Sequence, residues 1–140
     1  MTAAPLFDTK VAILVLPELE IWQKLNVTAF LATGIAGGAP EAMGDPYIDA
    51  SGARHAALLG QPIMIMAADR GTLLRARRQA RERGLACAAY VEAMFSTGHD
   101  AANREAFLAE PAEAPALVGI GLRGLRKDVD KAVKGASLHP

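Results

Sequence analysis

Trp22, Lys24 and Asn26 stand at alternate positions where an apolar run of strand length hands over to a stretch with helical periodicity. In an open α/β sheet, ligands favour the crevice beyond the carboxyl ends of the strands. There Trp22 would supply a flat wall, and Lys24 and Asn26 two polar handles. The plainer reading, equally open, makes Trp22 a loop anchor and the other two ordinary first-turn residues. A second group, Ser96, Thr97, Gly98, His99 and Asp100, gathers nucleophile, base and acid types within one short string. Serine triads assemble from distant chain positions by geometry, not from one local string. The simpler expectation is therefore a loop that turns at Gly98 and caps the next helix with Asp100, leaving Ser96 and His99 as ligand contacts beside Trp22 and Asn26. A third group is Arg70, Arg75, Arg77, Arg78, Arg81 and Arg83. At about 100° per helical residue, Arg70, Arg77 and Arg81 share a narrow sector with Arg78 beside it. Guanidinium forks match phosphate oxygens, so Arg77, Arg78 and Arg81 are candidate phosphate or RNA contacts. The alternative is a solvated helix face, because no aromatic residues interleave for base stacking.

Other chemistries find less support. His55, His99, His139 and Cys87 show no metal-ligand spacing, so no metal is expected. Neither a GxGxxG fingerprint nor a phosphate-binding Walker loop follows a strand, and the GIGLRG run (residues 119–124) lies mostly inside the last long strand instead of after one, so no nucleotide cofactor is expected. Fifteen basic side chains balance fifteen acidic ones, which removes any net field toward DNA or an anionic membrane. The longest N-terminal apolar run, 11–16, is far short of the ~20 residues needed to span a bilayer. With no leader-like segment and a single cysteine, a cytoplasmic protein is expected. Cys87 lies in the run LACAAYV and reads as a small buried hydrophobe.

These residues must be positioned by one α/β domain over residues 1–140, with residues 1–9 a flexible leading segment. At this length a chain buries a core without disulfides or metals. Residues 11–16, aliphatic throughout, predict a strand covered on both faces. A helix follows from about 20 to 33, stopped by Gly34. The DASG tetrad at 49–52 predicts an edge hairpin, and PIMIMA at 62–67 a second buried strand. The clearest helix is capped by Asp69 and closed by Gly84, with Leu73, Ala76 and Ala80 as its apolar stripe. Strands at 85–91 and 118–122 flank a short helix ending near 108. Leu125, Val129, Ala132 and Val133 mark a last amphipathic helix. The alternation predicts a small mixed, mostly parallel sheet with helices on both faces.

Three strings carry a family resemblance over nearly the whole chain: WQKLNVTAFLATGIAG (22–37), FSTGHDAANR (95–104) and RKDVDKAVKGASLHP (126–140). On them the chain resembles an uncharacterised bacterial family, domain of unknown function 2000. That family's fold is similar to the type-2 peptidyl-tRNA hydrolases, and VGIGLRGLRKDVDKAVKGASLH looks like their terminal strand, helix and short closing strand. ERGLACAAYVEA resembles their GLPVALIRDAG stretch. The resemblance implies a mixed sheet flanked by helices and a homodimer. It also implies a site in which Lys24, or Asn26 in strict register, stands for the hydrolases' lysine. Phe30 stands where they have glutamine, Glu92 for their aspartate, and Ser96 or Thr97 for their threonine. The Gly-Lys and Asp-Ala-Gly elements are both altered here.

Two functions follow. In one, the crevice near Trp22 binds a small molecule or partner segment without chemistry. In the other, Lys24, Glu92 and Thr97 act on an acyl ester such as peptidyl-tRNA, with Lys24 stabilising negative charge and Glu92 orienting water, while the arginine helix holds an RNA end.

Overall fold

The computed structural model describes residues 7–140. Its centre is β1 (Thr9–Val15). Val11 through Leu16 are almost wholly inaccessible to solvent, which is what an aliphatic run without alternation demands of a strand covered on both faces. On one side β1 pairs in parallel with β4 (Ile63–Ala67), Val11 opposite Ile63 and Val15 opposite Ala67. On the other it pairs antiparallel with β6 (Leu117–Leu125), Thr9 opposite Leu125. Two shorter strands complete the sheet. β5 (Ala86–Val91) lies outside β6, and β7 (Ser137–Leu138) outside β4. The order is β5-β6-β1-β4-β7. β1, β4 and β5 run one way and β6 and β7 the other, so the sheet is mixed as expected. One parallel and three antiparallel pairings join it where mostly parallel ones were expected, because β6 inserts between β5 and β1. A separate hairpin pairs β2 (Tyr47–Ile48) with β3 (Arg54–His55). Its turn is tied by Asp49 Oδ1, which accepts from the backbone N–H groups of Ser51 and Ala53.

The two faces of β6 hold different helices. Val27, Leu31 and Ile35 of α1 (Ile21–Gly37) are buried four residues apart and form the stripe that meets the sheet. They meet it at Gly119 and Gly121: a Cβ at Gly119 would lie 2.5 Å from Val27 Cγ1, and one at Gly121 3.3 Å from Ile35 Cγ1. The GIGL run therefore lets α1 sit close on the sheet; it is not a phosphate loop. The opposite face carries α2 (Arg70–Arg83), buried through Leu73, Ala76 and Ala80, and α4 (Arg126–Ala132), buried through Val129 and Ala132. Asp69 caps α2 by accepting from Thr72 N–H at 2.8 Å, and Gly84 ends it in the left-handed conformation at φ 66°. α3 (Asp100–Leu108) follows β5 after a 3-10 turn over Glu92–Ser96.

The expected α/β sheet with helices on both faces is thus present. Several local expectations shift. α1 does not stop at Gly34: Ile35 extends the buried stripe, and Gly34 instead gives clearance to Ala88, 3.4 Å from where its Cβ would be. Leu125 ends β6 rather than facing inward from the last helix. The cap of α3 is His99, whose Nδ1 accepts from Ala102 N–H at 3.2 Å, with Asp100 already inside the first turn and paired with Arg104. Cys87 lies on the edge strand β5 and is solvent-accessible there, yet partial burial among its neighbours raises the thiol pKa, against the lowering effect of Arg77 and Arg81. The expected leading segment over 1–9 lies mostly outside the described residues, and Thr9 already opens β1. No helix among the described residues is long and apolar enough to cross a membrane.

Candidate functional site

An open cavity of about 330 Å³ lies between α1, the end of β5 and the start of α3. Trp22, Asn26 and Phe30 line it from α1, at spacings of four that place them along one side of the helix. Tyr90 comes from the last turnless residues of β5, Met94 and Phe95 from the 3-10 turn, and Thr97, Gly98, His99, Asp100 and Asn103 from the loop and first turn of α3. It continues into a second hollow of about 280 Å³ between Phe30, Ala88 and Phe107, with Phe30, Tyr90, Met94, Asp100 and Asn103 shared by both. The combined space is within the ~300–1,000 Å³ range of small-molecule sites.

Its floor is aromatic. Trp22 meets Phe95 edge-on with ring centroids 5.8 Å apart, Phe95 meets Tyr90 at 5.2 Å, and Tyr90 meets Phe30 at 6.1 Å. Such pairs hold one another in place beyond what area burial alone would give. Tyr90 is buried, yet its phenol oxygen is satisfied because Asn26 Nδ2 donates to it at 3.1 Å. Trp22 and Phe30 remain more than half exposed and leave the cavity open along the α1 side.

Polar groups collect at the α3 end. Thr97 Oγ1 faces two acceptors, Met94 O at 2.9 Å and Asn103 Oδ1, and has a single proton to give. His99 Nδ1 accepts a backbone N–H, so in its neutral form the ring's proton sits on Nε2. That leaves an N–H donor at the mouth and no ring nitrogen aimed at Thr97 as a base. Asp100 is paired with Arg104. The chemistry on offer is hydrogen bonding around an apolar floor. Among the described residues, no three His, Cys, Asp or Glu side chains gather as a metal site would require.

The fold therefore brings Trp22, Asn26, Thr97 and His99 to one cavity. The other candidates lie elsewhere. Lys24 points away from the Asn26 side of α1, and its Nζ donates to His139 Nε2 at 3.3 Å, just beyond β7. Glu92 forms an ion pair with Arg70 at 3.3 Å, at the start of α2. Ser96 ends the 3-10 turn outside the cavity lining. Arg77 donates to Ala112 O at 3.2 Å and, with Arg81, flanks Cys87, while Arg78 is exposed. Tyr90, Phe95, Met94 and Asn103 complete the cavity but carry no motif by which sequence reasoning could select them. Phe95 and Asn103 do fall inside the 95–104 string, and Tyr90 is the one aromatic in a strand of small residues.

Comparison with known proteins adds the family but no activity. Among curated proteins there is no match. Among solved structures, a protein of unknown function from Agrobacterium tumefaciens strain C58 is 45% identical, with 96% of this chain and 100% of that one covered and a TM-score of 0.92. A family described as a protein of unknown function (DUF2000) matches residues 9–140, and the chain belongs to it.

Proposed function

We propose that the protein is a binding module whose cavity takes a small, largely apolar molecule, or an apolar side chain of a partner segment, with a polar end. The observation that carries this reading is the contiguous floor of Trp22, Phe95, Tyr90 and Phe30 ending at a polar mouth formed by Thr97, His99 and Asn103. A flat apolar group would stack on the rings, and a carbonyl or amide would meet the donors at the mouth. The hydrolytic alternative, implied by the resemblance to type-2 peptidyl-tRNA hydrolases, needs Lys24 and Glu92 to act on one substrate. Their separate engagement by His139 and Arg70 supports the binding reading instead.

The two readings part in one assay. Purified protein is incubated with an N-acetyl-aminoacyl-tRNA beside Lys24→Ala and Glu92→Ala variants. The binding reading expects no release above a buffer blank. Turnover by the parent that both substitutions abolish would replace it with a divergent esterase. The expected second copy of the chain finds support on the side of α1 away from the cavity, where Ile21 and Leu25, four residues apart, are each more than half exposed. Light scattering after size exclusion reads that directly, and a monomer across the concentration range removes it.

A further inference from the structure

The opposite face of the sheet carries a second constellation. Arg75, Gln79 and Arg83 recur four residues apart along α2, so they share one side of it. Lys131, in the last turn of α4, and Lys134, in the turn beyond, face them across an open cleft of about 420 Å³. The lining holds four cations and no carboxylate. Asp128 neutralises one of them, receiving Arg83 Nη1 at 3.1 Å. Glu82 sits beyond Gln79, which donates to it at 3.4 Å, and Asp69 feels the charge of Arg75 from the cap of α2. A chain with no net charge has thus gathered four cations in one hollow, with Arg83 paired to Asp128 and Arg75 partly offset by Asp69.

Among the described residues, Arg75 Nη2 is the buried side-chain nitrogen that has no hydrogen-bond acceptor. It is wedged against Gly135, whose φ is +99° and at which a Cβ would come within 2.9 Å of Nη2 and 3.3 Å of Thr72 Oγ1. A charged donor held out of water without an acceptor is costly, and buried polar groups in folded proteins are nearly always paired. Gly135, having no Cβ, leaves room for this guanidinium, and Arg75 lines the cleft together with Lys131 and Lys134.

We propose that this cleft binds a small polyphosphate, with closely spaced phosphates spanning Arg75 and the Lys131–Lys134 pair. Three observations favour that chemistry over a lone carboxylate or a single phosphate. The charge exceeds what one singly charged anion balances. The guanidinium offers a planar fork suited to phosphate oxygens. The two lysines supply freely rotating point charges from the α4 side of the cleft. The absence of any aromatic side chain from the lining argues for recognition of phosphates alone. Arg77, Arg78 and Arg81, the phosphate contacts expected from the sequence, do not line this cleft. The role moves to the side of α2 that meets α4.

The test is calorimetric titration of the full chain with sodium tripolyphosphate, orthophosphate and a ten-nucleotide single-stranded RNA. We expect saturable tripolyphosphate binding, at least about ten-fold tighter than orthophosphate, weakened by about ten-fold or more in Lys131→Gln/Lys134→Gln and in Arg75→Gln. Arg78→Gln removes one exposed charge from the same helix but none from the cleft, and should change affinity by less than about two-fold. The lysines are exposed, so their double variant should keep the parent's circular dichroism spectrum even if Arg75→Gln does not fold. No binding of tripolyphosphate up to millimolar concentrations would overturn the proposal. So would an equal loss in Arg78→Gln, which means diffuse attraction, or RNA binding as tight as tripolyphosphate, which means a phosphodiester surface.

Discussion

Replacing Gly119 by alanine tests how α1, and with it the Trp22 side of the cavity, is held on the sheet. The added Cβ would sit 2.5 Å from Val27 Cγ1, 3.1 Å from Leu31 Cδ1 and 3.2 Å from Leu14 O. The last of these is backbone in the central strand and cannot swing aside, so α1 must lift by some tenths of an ångström. Overpacking of this kind costs about 1–3 kcal/mol, after a gain of about 0.5–1 kcal/mol for removing a glycine from a strand interior. Val27→Ala deletes the nearest methyl groups of a fully buried side chain and should itself cost about 2–3 kcal/mol in lost burial and cavity. The two changes compensate in shape. Their double variant should be more stable than the sum of the single losses predicts by about 1 kcal/mol or more, and only part of the strain is relieved because Leu31 and Leu14 remain. Gly37→Ala is the control: nothing lies within 4 Å of its Cβ position, so the change should be neutral or stabilising by up to about 1 kcal/mol. Urea unfolding of the four variants gives each value, and for a chain of this length 1 kcal/mol corresponds to roughly 3–5 °C in Tm. Additivity within about 0.5 kcal/mol, or a Gly119→Ala protein more stable than the parent, would refute the close-approach account of the GIGL run.

Two further outcomes follow from single groups. Thr72 N–H holds the Asp69 carboxyl below its ordinary value of 3.8, so the cap stabilises the fold at pH above that value and is lost as pH falls through the lowered one. Melting temperatures between about pH 5 and pH 2 should therefore fall more steeply for the parent than for Asp69→Asn, which caps without a proton to gain; parallel curves would contradict the assignment. Tyr90→Phe removes the oxygen that accepts from Asn26 at 3.1 Å and should cost about 0.5–1.5 kcal/mol in urea unfolding while leaving the ring contacts in place. A stabilised variant would mean the phenol oxygen is poorly satisfied.

The sheet's centre, both long helices and the hairpin were legible because each rests on local rules. An unbroken aliphatic run makes Val11–Leu16 a covered strand. Asp69 and Gly84 bracket α2 with a cap and a left-handed stop, and the tetrad at 49–52 makes a turn. What could not be read depends on contacts distant in sequence. Gly34 looks like a helix stop until Ala88 is seen beside it. Cys87 reads as core until the strand order makes β5 an edge. At the cavity, Trp22, Asn26, Thr97 and His99 were visible as polar or aromatic residues at an element's end. Tyr90 and Phe30 became wall residues only once α1 had packed across β5. The arginines show the same limit: helical periodicity groups Arg77, Arg78 and Arg81, whereas the packing of α4 selects Arg75 and Arg83.

The account's central claim is that the aromatic hollow is a ligand site. It is tested most directly by amide chemical-shift mapping of the labelled protein against a set of small aromatic amides. The account predicts saturable shifts at Asn26, Tyr90 and the backbone of residues 97–103, reduced by about ten-fold in affinity in Trp22→Ala. Shifts confined to other surfaces, or none at millimolar concentrations of any of the amides, would contradict it.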